Sequence, residues 1–272
     1  MTARLTVLKL GGELIEDAPR TRALAHAIAA AAAEIPLIVV HGGGREIGVA
    51  LARAGIATHQ VDGIRVTDEA TLGVVVSVLA GSVNTRFVAA IGACGGRAVG
   101  LTGADASVAP AEATPSLVAV DGRTVSLGLV GQPSIAGHAD LLTCLIGGGY
   151  IPVIASIAAD SDGTLYNVNA DTMAAAVAIR ANAGRLAILG TTPGVLDANR
   201  DTVGTLDPAT EAAMVSAGTI HAGMIAKVRA CRTALAGGVP TATIGDGRDP
   251  DRVRSMLCGP ADTAGTVTRV VA

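Results

Sequence analysis

The chain has 272 residues and a net charge of −3, from 20 Lys+Arg against 23 Asp+Glu, so it presents no basic field for nucleic acid. Its aromatics are only Phe87, Tyr150 and Tyr166, too few for a base-stacking platform, and Cys94, Cys144, Cys231 and Cys258 form no CxxC, which reads as buried thiols in a reducing compartment. Mean hydropathy is +0.52, raised by alanine and valine. No window reads as a long uninterrupted apolar span and no leader-like segment opens the chain, so a cytoplasmic protein of one large α/β domain or two small ones is expected.

LTVLKL (5–10) predicts a buried strand that runs into a glycine turn. Residues 20–34 have high helix propensity. LIVV (37–40) predicts a second buried strand, followed by HGGG and a helix from about Arg45 to Ala54. Residues 69–93 read as one long helix or two, with Thr67 and Asp68 as caps. RAVGLTG (97–103) is another strand, and LVAVDGRTVSLGLV (117–130) has the pattern of a hairpin turning at Asp121-Gly122. Residues 138–146 look helical, Gly147-Gly148-Gly149 ends that helix, and YIPVIAS (150–156) is a strand. A helix follows NVNAD as far as about Ala181, and RLAILG (185–190), VPTATIG (239–245) and TVTRVVA (266–272) complete the strands. Alternation of β and α over this length predicts a mainly parallel sheet covered by helices on both faces. No internal repeat, low-complexity segment or long linker is visible.

Ligands of such a sheet bind at the carboxyl ends of its strands. Gly11-Gly12 and Gly42-Gly43-Gly44 fall there, and glycine lets successive N–H groups point into one concavity that suits an anion. The helix beginning near Arg45 adds its positive end. A tight turn alone is the competing reading; three glycines between a buried strand and a helix favour the anion site. Neither GxxxxGK[ST] nor GxGxxG after a strand is present, which excludes a P-loop and removes the dinucleotide fingerprint.

Of the 20 basic residues only Lys9 and Lys227 are lysines, and both sit beside glycines. In a chain otherwise drifted to arginine, they point to a need for a compact ammonium. Lys9 lies in an apolar run, an odd place for a decorative charge, whereas Lys227 in HAGMIAK could be an exposed helical residue. Two ammonium groups and two N–H nests suit a phosphoryl group in transit, whose charge spreads over its oxygens. NVNAD (167–171) brings the opposite sign. In extended chain Asn167, Asn169 and Asp171 face one way, and Asp171 could cap the next helix, hold the two lysines, or do both. Arg65, in DGIRVTD, either grips a substrate carboxylate bidentately or is a solvated loop arginine.

Taken in order, KLGG (9–12), VHGGG (40–44), GIRVTD (63–68), VGLTGADA (99–106), LGLVGQP (127–133), GYIPVIASIA (149–158), GTLYNVNAD (163–171), PGVL (193–196), AGMIAK (222–227) and IGDGRDP with the late GT at 265–266 resemble the amino acid kinase family. The resemblance covers nearly the whole chain and is strongest to the branch that phosphorylates acetylglutamate. It implies a three-layer αβα sandwich around a mainly parallel sheet, with residues 1–172 holding the acyl amino acid and 173–272 holding ATP. The implied reaction moves a phosphoryl group from ATP to the side-chain carboxylate of N-acetyl-L-glutamate, giving an acyl phosphate and ADP in arginine biosynthesis. By motif, Lys9 and Lys227 would stabilise that group and Asp171 would orient them. Gly11, Gly12 and Gly43 would offer it backbone N–H groups. Gly43 and Gly44 would border the acceptor, Arg65 would bind one of its carboxylates and Asn167 its α-substituents. Thr191, Gly194, Leu196, His221 and Met224 would serve the nucleotide, and Mg²⁺ would ride on the ATP phosphates with few or no protein ligands.

Three departures stand out. Thr191 occupies a position where the family usually has Asp; Ala222 and Ala226 replace a Gly and a Pro before Lys227, with His221 preceding them; and the first strand begins by about Leu5, leaving no room for the extra N-terminal helix of arginine-inhibited relatives. The acceptor half therefore matches better than the donor half, and an arginine-insensitive homodimer is expected. The competing readings are the same fold acting on another acyl-glutamate, a carrier-linked amino acid, carbamate or aspartate, and a catalytically weak regulatory homologue that binds an amino acid. GIRVTD with NVNAD favours acyl-glutamate, and the intact Lys9, Lys227 and Asp171 argue against the regulatory protein.

Overall fold

In the computed structural model, residues 4–61, 64–114, 116–118, 124–220, 222–259 and 267–272 are described. Eight strands make the main sheet: β1 Thr6–Leu10, β2 Leu37–His41, β3 Ala98–Thr102, β4 Ile151–Ala155, β5 Arg185–Gly190, β6 Thr205–Leu206, β7 Ala242–Asp246 and β8 Val267–Val270. Their order across the sheet is β6-β8-β7-β5-β1-β2-β4-β3, and every pair is parallel except β7 with β8. The apolar runs of β1, β2 and β4 are buried along their whole length, as strands covered on both faces must be.

The period of two along β1 sorts its side chains between two cores. Val7 joins Ile38, Val40, Ile154 and Ile188 beneath helices α6 (Ala170–Arg180) and α8 (Ala222–Ala236). Leu8 and Leu10 point to the opposite face, against α1 (Ala18–Ala32), α4 (Asn84–Ala93) and α9 (Pro250–Cys258). The three layers expected from the alternation of elements are therefore present. Lys9, two residues after Val7, must face α6 and α8.

Helix α3 (Glu69–Val76) is capped by Asp68, whose Oδ1 accepts from Thr71 N at 2.8 Å; Thr67 takes no part in this cap. It runs through a π-helical stretch, Ser77–Val83, into α4. The expectation of no long uninterrupted apolar span stands: Glu69–Ala93 makes one 25-residue helical run, enough by length and composition to cross a membrane, but Ser77, Ser82, Asn84 and Arg86 interrupt it. Its core-facing residues are Thr71, Val75, Leu79, Val83, Phe87 and Ile91. A strict four-residue repeat drifts by about 40° per step on an ideal α-helix of 3.6 residues per turn. The wider π turns offset this drift and keep the stripe on the sheet. Asn84, buried within the stripe, donates to Val153 O at 2.9 Å and Leu101 O at 3.3 Å, tying the helix to β4 and β3.

The sequence reading missed a second, four-stranded sheet. It runs Ile157–Ala159, Leu165–Val168, Val130–Pro133, Ala111–Ala113 in spatial order. Only Ser156 separates its first strand from the end of β4, so this sheet begins where the site lies. Leu117–Val118 pairs antiparallel with Thr124–Val125 as a hairpin requires; the expected Asp121-Gly122 turn lies outside the described residues, and Val130 belongs to the second sheet. Arg180 ties the loops beside that sheet to α6. Its guanidinium donates to the carbonyls of Ser107, Val108, Ala136 and His138.

Candidate active site

At the end of β2 the chain passes through Gly42 and Gly43 into α2 (Gly44–Arg53), with Gly43 as N-cap. At the end of β1, Gly12 opens a 3₁₀ turn, Gly12–Leu14. The first N–H groups of a helical segment have no intrahelical partner, so Gly12 and Gly44 present donors where α2 also presents its positive end. The two loops touch: a Cβ on Gly12 would lie 2.8 Å from Gly43 Cα, and one on Gly43 would lie 2.9 Å from Leu79 Cδ2. Only glycine permits this approach. Gly11 behaves differently from expectation. Its N–H donates to Leu189 O at 2.9 Å, completing the β1–β5 ladder, so it is not available to an anion.

Lys9 is 5% exposed, and its Nζ lies 2.7 Å from Asp171 Oδ1; Lys227 Nζ lies 3.4 Å from Asp171 Oδ2. One carboxylate thus bridges two ammonium groups contributed by β1 and α8. Burial pulls the Lys9 ammonium below its ordinary pKa; Asp171 opposes that pull and Lys227 adds to it. Burial alone would raise Asp171, but the charges of Lys9 and Lys227 outweigh it and hold the carboxyl below its usual range. The N-cap of α6 is Asn169, not Asp171: its Oδ1 accepts from Asp171 N at 2.9 Å and Thr172 N at 3.2 Å. NVNAD is therefore extended only as far as Val168. Asp171 sits in the first helical turn, and that turn carries its side chain to the lysines.

A cavity of about 230 Å³ gathers Lys9, Gly11, Gly12, Gly43, Gly44, Arg65, Asn167 and Asp171. Arg65 donates from Nη2 to Gly44 O at 3.1 Å and from Nη1 to Thr58 Oγ1 at 3.5 Å. Its half-burial lowers the guanidinium pKa from the ordinary value. Thr67 is the link that sequence reasoning mistook for a cap. Its hydroxyl donates to Arg65 O at 2.8 Å and accepts from Asn167 Nδ2 at 3.1 Å, fixing both residues relative to each other. The cavity also takes in Glu13, Ile47, Gln60, Ile64, Leu79, Val130 and Ser156, none of which the sequence singled out. Ser156, one residue beyond β4, and Glu13, next to Gly12, carried a signal in their strand-end positions; the others did not.

The match to the amino acid kinase family runs over residues 4–246. The chain belongs to the amino acid kinase family. It is 41% identical over 254 residues to an acetylglutamate kinase of Methylobacterium nodulans, spanning 92% of this chain and 83% of that one. An acetylglutamate kinase of Rhodopseudomonas palustris is likewise 41% identical, over 91% of this chain and 84% of its own. Among solved structures, N-acetylglutamate synthase from Neisseria gonorrhoeae, complexed with coenzyme A and N-acetyl-glutamate, has a TM-score of 0.81 at 23% identity, over 100% of this chain and 60% of that one. Carbamate kinase from Giardia lamblia bound to AMP-PNP has a TM-score of 0.66 at 15% identity, over 99% and 98%. These likenesses establish the amino acid kinase fold.

In this amino acid kinase the residues expected to serve the nucleotide lie apart from the cavity. Thr191 is exposed directly after β5. Gly194, at φ 142, lies against Thr268, whose hydroxyl accepts from Val195 N at 2.8 Å. Leu196 bridges to Thr202, and Met224 packs partly buried against the core under α6 and α8. His221 lies outside the described residues. His41, just before the triple glycine, is fully buried. Its Nδ1 meets Gly42 O at 3.2 Å, its ring stands edge-on to Phe87, and burial pushes its pKa down to about 4. A neutral imidazole that does not line the cavity is a structural group.

Proposed function

We propose that this amino acid kinase transfers a phosphoryl group from ATP to the side-chain carboxylate of N-acetyl-L-glutamate, as an acetylglutamate kinase of arginine biosynthesis. The observation that carries this reading is the Asp171 carboxylate, 2.7 and 3.4 Å from two lysine ammonium groups beside the paired glycine loops. The 41% identity to acetylglutamate kinases supports the choice of acceptor.

A carboxylate nucleophile is already ionised near pH 7, so no general base is needed. The obstacle is repulsion between the acceptor anion and the phosphates. As an acceptor oxygen bonds to the γ-phosphorus, the bond from that phosphorus to the β–γ bridging oxygen breaks and ADP leaves with the electron pair. Charge builds on the three equatorial oxygens. Lys9, Lys227 and the N–H groups of Gly12, Gly43 and Gly44 stabilise it from fixed positions. Asp171 holds both lysine side chains close and offsets part of their mutual repulsion. Arg65 takes a carboxylate of the acceptor and Asn167 its α-substituents, with Thr67 setting their spacing. Residues 1–172 form the acceptor lobe and 173–272 the nucleotide lobe, where Thr191, Gly194, Leu196, His221 and Met224 contact ATP.

Among the described residues no three His, Cys, Asp or Glu side chains converge as a metal cage. Mg²⁺ would be held chiefly by the ATP phosphates, where it would neutralise their charge. We propose a cytoplasmic homodimer. The helical run 69–93 turns Gly73, Ser77, Gly81 and Ala89 outward beside the sheet's edge strand β3, small residues that allow close approach of a second copy. Light scattering should give twice the 26.7 kDa chain mass, and a monomeric or hexameric mass would exclude it.

The decisive assay traps acyl phosphate as hydroxamate, with MgATP and N-acetyl-L-glutamate beside glutamate, aspartate and N-succinylglutamate. Selective signal with N-acetyl-L-glutamate is expected. Stronger signal with another acceptor would reassign the substrate, and silence with all four from folded protein would overturn the kinase reading.

A further inference from the structure

We infer that Glu13 supplies the protein's own oxygen ligand to the divalent cation that accompanies ATP. This rests on the reading of the cavity as a phosphoryl-transfer site and adds a residue to it. Glu13 follows Gly12 in the 3₁₀ turn, and its carboxylate folds back over Gly11. Its Oε1 lies 3.5 Å from where a Cβ on Gly190 would sit, and Lys227 Cε lies 3.6 Å from that same point. The carboxylate therefore stands at the seam between β1 and β5, beside Lys227 and on the side of the nucleotide lobe. Glycines at 11 and 190 leave the space it occupies.

The cavity has two carboxylates, Glu13 and Asp171. Asp171 is buried and engaged by both lysines. Glu13 is exposed, and among the described residues no hydrogen bond or close ion pair takes its carboxylate, although the Lys9 ammonium feels its charge. Next to phosphates a carboxylate without a bound cation is unfavourable, because like charges repel in a cavity that screens them less than bulk water does. A divalent cation between them reverses the sign. Magnesium is commonly held by one or two carboxylates together with substrate phosphates, so one uncommitted carboxylate at this point matches its needs.

The test is calorimetric titration of the intact protein with ATP, without acceptor, in EDTA and in Mg²⁺, for wild type, Glu13→Gln and Glu13→Asp. Wild type should bind MgATP more tightly than free ATP. Glu13→Gln should weaken MgATP roughly tenfold while free ATP binds as before or tighter, and Glu13→Asp should retain part of the metal effect. Manganese paramagnetic resonance should show the same loss of ternary-complex metal affinity in Glu13→Gln. If Glu13→Gln tightens ATP equally with and without metal, the carboxylate only repels phosphate and the inference fails; unchanged affinities overturn it as well. Wild type that binds no ATP under either condition would sink the kinase reading too. Metal coupling lost in Glu13→Gln but hydroxamate silent with every acceptor would leave Glu13 standing and reject only the acceptor.

Discussion

Replacing Asp171 with asparagine keeps the shape of the side chain and removes the charge that two ammonium groups share. At 2.7 and 3.4 Å, and with an effective dielectric of about 20, the two attractions are about 6 and about 5 kcal/mol before desolvation is counted. Removing one member of a buried pair typically costs about 3–5 kcal/mol. Lys9, 5% exposed, can limit the loss by releasing its proton. With an unfolded pKa of about 10.4, that release caps the Lys9 contribution at pH 7 at about 4.6 kcal/mol, from about 1.36 kcal/mol per unit. The two routes agree. They also set the pH dependence. With Asp171 gone, Lys9 titrates further below its unfolded value, so between the two values the unfolded chain holds more protons and stability rises with pH. Urea unfolding followed by far-UV circular dichroism suits a protein without tryptophan. Asp171→Asn should be less stable than wild type by about 3–5 kcal/mol at pH 7, and the deficit should shrink by pH 9. A deficit below about 1 kcal/mol, or one equal at both pH values, would show that the carboxylate does not hold a buried ammonium.

Lys9→Arg should lower kcat by orders of magnitude with the fold intact by circular dichroism, because a planar guanidinium cannot enter the space between Asp171 and the glycine loops; near wild-type turnover would remove Lys9 from the chemistry. Arg65→Ala should raise the KM for the acyl amino acid about 10–100-fold, the equivalent of one charged hydrogen-bonded contact, and an effect confined to ATP would mean that Arg65 serves the other substrate. His41, with its pKa pushed from 6.5 to about 4, makes the fold acid-sensitive. Between those values the unfolded chain takes up the extra proton, so stability should fall by about 3 kcal/mol as pH drops from 6.5 to 4. His41→Gln should flatten that limb, and an unchanged limb would assign it elsewhere.

Local pattern carried much of this protein. The apolar runs at 5–10, 37–40, 150–156 and 185–190 could be only buried strands, and their alternation with helices left a covered parallel sheet as the economical arrangement. The same period of two that buries Val7 and Leu8 on opposite faces commits Lys9 to the α6 side, so its pairing was latent in the strand itself. The glycine loops and the two lysines were legible because each breaks a local rule: glycine where packing would favour a side chain, charge where burial would favour none. Other features depended on neighbours distant in sequence. The strands of the second sheet are three or four residues long and have meaning only through their partners. The availability of the Gly11 N–H was decided by Leu189, and the choice of Asn169 over Asp171 as helix cap by where the strand ended. Thr67 joins Arg65 to Asn167 across 100 residues, and Glu13 meets Gly190 only because β1 and β5 are neighbours in the sheet. Periodicity records which face a residue must take; which atoms that face then meets is set by the packing of elements far apart in the chain.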